Sequence, residues 1–269
     1  MEADMKLIPL PRITVVTPSF NQARFLEQTI ESVLSQDYPR LKYIIVDGGS
    51  TDGSVEIIKK YEKHLAWWVS EPDRGQTDAI NKGFERARGD VFAWLNSDDT
   101  YEPGTVGAAA KLLVNFPEVG MIYANANYID EAGRVIGRFP AAQTDYRRLR
   151  QGYVHIPQQT AFFRSSLWRE VGPLDPSFFF AMDYDLWTRI AALTEIKYVH
   201  YETWANFRIH SGAKTISHDD RCWPEMLREH YRHGGGPISV ITAKYQVRKL
   251  VAPLLNWWRR RRLLRAADD

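Results

Sequence analysis

Two adjacent carboxylates, Asp98 and Asp99, follow a short apolar run in the stretch AWLNSDDT, with Asn96 and Ser97 just ahead of them. Like charges that close repel each other, so their surroundings must supply water, a cation or a proton. A solvated turn is one reading. A metal is the other: Mg2+ and Mn2+ take oxygen ligands, commonly one or two carboxylates completed by water and diphosphate oxygens. Asp98 and Asp99 form that minimal set and no full cage, which points to a nucleotide-diphosphate substrate whose phosphates finish the shell. No GxxxxGK[ST] loop is present and no GxGxxG follows the first expected strand. The P-loop and dinucleotide routes to a nucleotide are therefore absent.

The elements that must position these groups alternate regularly. RITVVT (12–17), KYIIVD (42–47), AWWVS (66–70) and DVFAWL (90–95) read as strands. Between them, 21–36, the stretch beginning DGSVEIIKKYEKH and 76–88 carry apolar residues at helical spacing, with Asn21 as N-cap of the first and Asp52 or Ser54 as cap of the second. Strand–helix alternation with short connections predicts an α/β fold, a mainly parallel sheet covered by helices. Ligands of such sheets lie beyond the carboxyl ends of the strands. The four strands end in TPSFN, DGGSTDGS, EPDRGQTD and NSDDT, so one shared polar crevice is expected there. Further on, 119–139 reads as two strands around a turn at Glu131–Gly133, MDYDLWTRIAAL (182–193) as an amphipathic helix, and IKYVH and TWANFRIH as two more strands.

The blocks ITVVTPSFNQARFLEQTIESVLSQ, IIVDGGSTDGS, DAINKGFERARGDVFAWLNSDD and MDYDLWTRI, in this order, resemble the family 2 glycosyltransferases over roughly residues 12–212. The resemblance implies a GT-A fold and transfer of a sugar from a nucleotide-diphosphate donor to an acceptor hydroxyl, with inversion. It also implies roles for individual residues. Thr17, Pro18 and Ser19 would line the nucleoside pocket, and Asp47 would accept the N3–H of uracil or thymine, favouring UDP or dTDP. Gly48 stands where many relatives carry a second Asp. Arg74, Asp78 and Asn81 fall in the block that approaches the nucleotide. NSDD replaces the usual DxD, with Asn96 and Ser97 near the donor, and Asp98 or Asp99 as ligand of Mn2+ or Mg2+. Asp183 falls at the catalytic base, with Met182 in place of the usual Glu. His210, in FRIHSGAKT, would be a further metal ligand or diphosphate contact, and Arg208 would help neutralise charge. Gln158 and Gln159 match a segment near the acceptor, and Trp187, close to the base, is a candidate to stack on it. An inactive nucleotide-sugar-binding protein is the alternative that Asn96 and Met182 leave open.

The bulk numbers narrow the setting. With 44% hydrophobic and 25% charged residues, the chain reads as globular. One cysteine excludes an internal disulfide and suits a reducing compartment. Neither an apolar leader at MEADMKLIPLPR nor a run long enough to span a bilayer is evident, so a cytoplasmic protein is expected. The organisation expected is a GT-A domain over 1–236 and a basic, helical, amphipathic tail over 237–269. Residues 238–269 hold eight Lys and Arg against two Asp, a net +6, and since the whole chain carries +2 the preceding residues sum to −4. Arginines among aliphatic residues and tryptophans suit an anionic membrane surface, here the inner face of the cytoplasmic membrane. The acidic body argues against nucleic acid as a partner, and a solvated helix pairing with another subunit is the remaining alternative. Such a tether fits a glycan or lipid-linked acceptor in bacterial cell-surface polysaccharide or lipopolysaccharide assembly.

Overall fold

The computed structural model describes residues 9–214, 219–247 and 249–250, with the backbone alone for 219–221. In chain order the main elements are β1 (Ile13–Ser19), α1 (Ala23–Leu34), β2 (Leu41–Asp47), α2 (Ser54–Tyr61), β3 (Trp67–Ser70), α3 (Gln76–Arg86) and β4 (Val91–Trp94). There follow β5 (Thr100–Tyr101), α4 (Thr105–Asn115), β6 (Val119–Ile129), β7 (Val135–Arg138), α5 (Tyr146–Leu149), β8 (Phe162–Arg164), α6 (Ser165–Val171), α7 (Met182–Ala191), β9 (Glu195–Arg208) and α8 (Asp219–Arg232). The strands form one sheet in the order β3-β2-β1-β4-β8-β6-β9-β5, with β7 paired to β6. The first four strands are mutually parallel, as expected, and β8 runs against both of its neighbours.

Both faces of this sheet are covered, which explains why β1 is buried at every position instead of alternating. Successive side chains point to opposite faces. Val16, Val46 and Trp94 join the core under α3 and α7. Val15, Ile45 and Leu95 join the core beneath α1 and α4. Gly83 allows α3 to lie close on β1: a Cβ there would come within 2.4 Å of Val16 Cγ1.

Two local expectations are corrected. Asn21 does not cap α1. It adopts φ 51° and its Oδ1 accepts from Thr51 N, while Asp52 Oδ2 accepts from Ala23 N and Ser54 Oγ from Gln22 N. The loop after β2 thus caps the helix after β1, tying two strand ends together. The second correction concerns the late strands, which are one: β9 pairs with β6 throughout and bulges where Asn125 faces Thr203 after Ala124 faces Val199. Asn125 Nδ2 donates to His200 O and Glu202 O, so the bulged backbone keeps its partners. This strand carries Arg208 back to the end of β4.

Residues 240–247 are helical. Ile241 meets Gly152, and the Lys244 ammonium lies 5.6 Å from the Tyr153 ring centre. Arg259–Arg262, which carry much of the expected tail's charge, lie outside the described residues. Among the described residues no helix is long and apolar enough to cross a membrane.

Candidate active site

The ends of β1, β2 and β4 and the loop after β3 open on a cavity of about 920 Å³. Pro18, Ser19, Gly48, Asp73 and Arg74 line it beyond the first three strands. Asn96, Ser97 and Asp98 line it beyond β4, with Gln158 and Gln159 beside them. Asp183 and Lys214 complete the polar wall, next to an apolar one that includes Val154, Ile156, Phe178 and Met226.

The two adjacent carboxylates divide their tasks. Asp99 is fully buried and does not line the cavity. Its Oδ1 accepts from Arg208 N at 3.0 Å, and its Oδ2 from Gln159 Nε2 at 2.9 Å and Asn96 Nδ2 at 3.2 Å. Burial, then the neighbouring Asp98, push its carboxyl well above the usual range, against the pull of those three donors. With both oxygens engaged, Asp99 shapes the loop and is poorly placed as the direct ligand that was one option. Asp98 lines the cavity. His210 Nε2 lies 3.0 Å from Asp98 Oδ2, at hydrogen-bond distance and close enough for both side chains to hold one divalent ion. A carboxylate oxygen beside an imidazole nitrogen is a donor set that Mn2+ accepts, so these two residues fit a divalent ion whose remaining ligands come from elsewhere.

Asn96 has a structural reason to be an amide. Its Nδ2 donates to Asp99 and to Gln158 Oε1, and its Oδ1 accepts from Gln76 Nε2 at 2.7 Å. A carboxylate at 96 would face that of Asp99. Arg208 is also buried: Nε donates to Asp98 O and Nη2 to Gln28 Oε1, so it clamps the loop from behind and does not reach the cavity as a free charge.

Asp183 lies in the first turn of α7, at the end where a helix favours negative charge. Its Oδ1 accepts from Tyr184 N at 2.7 Å. Burial raises its carboxyl to about 6, although nearby Lys214 pulls the other way. The same burial lowers Lys214 to about 8, and its ammonium donates to Gln76 Oε1 at 2.9 Å. Lys214–Gln76–Asn96–Asp99 is therefore one hydrogen-bonded chain joining the base side of the cavity to the loop after β4. Glu225, from α8, accepts from the backbone N–H groups of Phe179, Phe180 and Ala181 and so fixes the approach to α7.

The other expected site residues divide between the cavity wall and the scaffold around it. Thr17 is fully buried and accepts from Tyr43 OH. Asn81 exchanges hydrogen bonds with the Leu174 backbone. Asp78 pairs with Arg74, whose side chain is 81% exposed at the cavity rim. Asp47 is fully buried and outside the cavity lining; its carboxylate accepts from Gly49 N, Ser50 N, Ser50 Oγ and Ser70 Oγ, so it does not face a base there. Gln158 and Gln159 bond to the loop after β4, with Gln158 Nε2 also reaching Trp94 O. Trp187 is no acceptor platform: it is fully buried, stacked 5.2 Å from Trp94. Asp73, Lys214 and Glu225 were missed. Asp73 and Lys214 lay inside quoted polar blocks, whereas no local pattern distinguishes Glu225 from a surface helix acid.

Among the described residues one group of three metal-capable side chains stands elsewhere, Asp185, Glu229 and His233, between α7 and α8. Arg189 and Arg232 pair with Asp185, while His233 Nε2 lies 2.8 Å from Glu229 Oε1 and neither that nitrogen nor either Glu229 oxygen has a hydrogen-bond partner.

Residues 14–172 match the glycosyl transferase family 2 pattern. The chain belongs to that family. An uncharacterized glycosyltransferase of Mycobacterium tuberculosis, Rv1514c, is 34% identical over 188 residues, 69% of this chain and 71% of that protein. Bacillus subtilis TuaG, a putative teichuronic acid biosynthesis glycosyltransferase, is 41% identical over 97 residues, 34% of this chain and 38% of TuaG. Two solved structures share the GT-A fold. S. aureus TarS 1–349 in complex with UDP-GlcNAc has a TM-score of 0.69 at 16% identity, over 87% of this chain and 71% of that one. The Pyrobaculum calidifontis mannosyltransferase PcManGT in complex with GDP-Man and Mn2+ has a TM-score of 0.62 at 21% identity, over 82% and 65%. This glycosyltransferase thus has the fold expected from its strand–helix alternation.

Proposed function

We propose that this glycosyltransferase moves a sugar from a nucleotide-diphosphate donor to an acceptor hydroxyl by a single, metal-assisted, inverting displacement. The observation that carries the proposal is one cavity lined by both Asp98, backed by His210, and Asp183, whose carboxyl is raised to about 6. An acceptor hydroxyl is a weak nucleophile, and a carboxylate poised near neutrality removes its proton as attack proceeds. Asp183 is assigned that proton. The acceptor oxygen then bonds to the anomeric carbon as the bond to the diphosphate breaks on the opposite face, which inverts the configuration. A divalent ion held by Asp98 and His210 would neutralise the charge on the departing diphosphate. Lys214, on the same cavity wall, adds positive charge near it.

The ligands of the two solved relatives, UDP-GlcNAc in one and GDP-Man with Mn2+ in the other, support a nucleotide-sugar donor and a manganese-type ion. TuaG, by its name, supports a place in cell-surface polysaccharide assembly. Calorimetric titration of nucleoside diphosphates with and without Mn2+ tests the donor site. At least one is expected to bind about tenfold or more tightly with the metal; a cavity that takes none of them in either condition contradicts the reading.

We further assign residues 237–269 to a membrane-surface arm, of which the described helical part, 240–247, packs beside the cavity wall. Val154, which lines the cavity, follows directly on Gly152 and Tyr153, where the arm packs. Ile238, Val247 and Leu250 on the arm are 98%, 59% and 79% exposed. Apolar contact plus the arginine cluster suits an anionic bilayer, and the apolar cavity wall near Asp183 suits an acceptor on a lipid carrier. Full-length protein should co-sediment with anionic liposomes, and replacing Arg259–Arg262 by glutamine should weaken this by about tenfold or more. Equal binding by the two proteins would rule out a membrane role for the arm.

A further inference from the structure

Gly48 and Asp73 form a matched pair at the nucleoside end of the cavity. A Cβ on Gly48 would lie 2.9 Å from Asp73 Oδ2 and 3.1 Å from both Cγ and Oδ1. The absence of a side chain at 48 is therefore what allows the Asp73 carboxylate, from the loop after β3, to lie against the end of β2. Oδ1 of Asp73 accepts from Gly75 N at 2.7 Å, which orients the carboxylate within its loop. Ser19 borders the same space: its carbonyl accepts from Gly48 N, and all three residues line the cavity. Ser19 is 3% exposed, yet its Oγ has no hydrogen-bond partner. A buried hydroxyl left unpaired on a cavity wall is costly unless a ligand satisfies it.

Asp47, one residue before Gly48, has no comparable freedom. Its carboxylate accepts four hydrogen bonds from its own loop and from Ser70, and it is fully buried. Opening it to a ligand would take the acceptor from donors on three residues, Gly49, Ser50 and Ser70, that hold the loop after β2 and the end of β3 in place.

We propose that Asp73, admitted by Gly48 and flanked by Ser19, is the specificity-determining residue that reads the donor's base through a ring N–H, while Asp47 is a scaffold residue. A carboxylate only accepts hydrogen bonds. It therefore matches uracil and thymine at N3–H or guanine at N1–H, and it opposes the bare ring nitrogen that cytosine and adenine present at the corresponding edge. The inference rests on the cavity being a nucleotide-sugar site.

The test is equilibrium binding of UDP, dTDP, GDP, CDP and ADP, with Mn2+, to the full-length wild-type, Asp73→Asn and Gly48→Ala proteins. The first substitution keeps the Oδ1 that Gly75 uses but presents a donor beside it. The second displaces the Asp73 carboxylate without removing it. The wild type is expected to bind at least one imide-bearing diphosphate about tenfold or more tightly than CDP and ADP. Both variants should lose most of that ratio, with Asp73→Asn gaining affinity for CDP and each retaining the dependence on Mn2+. Unchanged preference in both variants, or a wild-type preference for CDP or ADP, overturns the assignment of Asp73 alone. Failure of the wild type to bind any of the five overturns the nucleotide site and this assignment with it.

Discussion

Asp183→Asn is expected to lower the turnover number by about a thousandfold, the middle of the range for removing a positioned general base, while leaving donor affinity unchanged. It also stabilises the fold. The Asp183 carboxyl is raised to about 6 by burial, above the usual carboxylate value near 4. In the folded protein its ionised form is therefore penalised. Below pH ~4 the group is protonated whether folded or not, and it costs nothing. Between about 4 and about 6 the folded state holds the proton more tightly, so this group's contribution to stability falls as pH rises. Above about 6 the full penalty applies, on the order of 3 kcal/mol. Asparagine removes it and keeps the acceptor for Tyr184 N, so the variant melts higher than wild type at pH 7 and matches it near pH 4. Paired kcat and denaturation measurements across pH check both halves. Wild-type kcat should fall below about 6, as the base is protonated, and again above about 8, as Lys214 loses its charge. A variant that loses activity but is less stable at pH 7 would make Asp183 a structural residue.

The second large effect belongs to Asp98. Asp98→Asn keeps the shape and removes the anionic ligand beside His210, so most of the gain in nucleoside-diphosphate affinity on adding Mn2+, about tenfold or more in the wild type, should be lost. Without Mn2+, the variant should bind at least as tightly as wild type, because it lacks one of the charges that repel a bare diphosphate. If Asp98→Asn retains the full Mn2+ effect, the ion sits elsewhere.

How far the sequence could be read depended on the range of the contacts involved. Strand–helix alternation in the first hundred residues predicts four parallel strands, and the polar clusters at their ends do border one cavity. Local patterns cannot show which carboxylate in such a cluster is already engaged. Asp47 is closed by Ser70, twenty-three residues on, and Asp99 by Gln159 and the Arg208 backbone, sixty and 109 residues on. The same limit applies to Trp187. Helix α7 buries Met182, Tyr184, Asp185, Leu186, Trp187, Thr188 and Ile190, so its neighbours in the fold, Trp94 among them, decide what each side chain meets. Lys214 and Glu225 gain their meaning only when α8 and the segment after β9 fold back over the cavity. Asn96, which stands where an acid was expected, is explained by the same distant contacts: it donates to Asp99 and accepts from Gln76.

The most direct test of the central claim follows the anomeric proton of a nucleotide sugar by NMR, with wild-type protein, Mn2+ and an acceptor extract from bacterial membranes. The donor signal is expected to give way to that of a glycoside of opposite anomeric configuration, in step with release of the nucleoside diphosphate. A glycoside of retained configuration would contradict the single displacement through Asp183, and donor binding with no transfer to any acceptor would leave a nucleotide-sugar-binding protein in place of an enzyme.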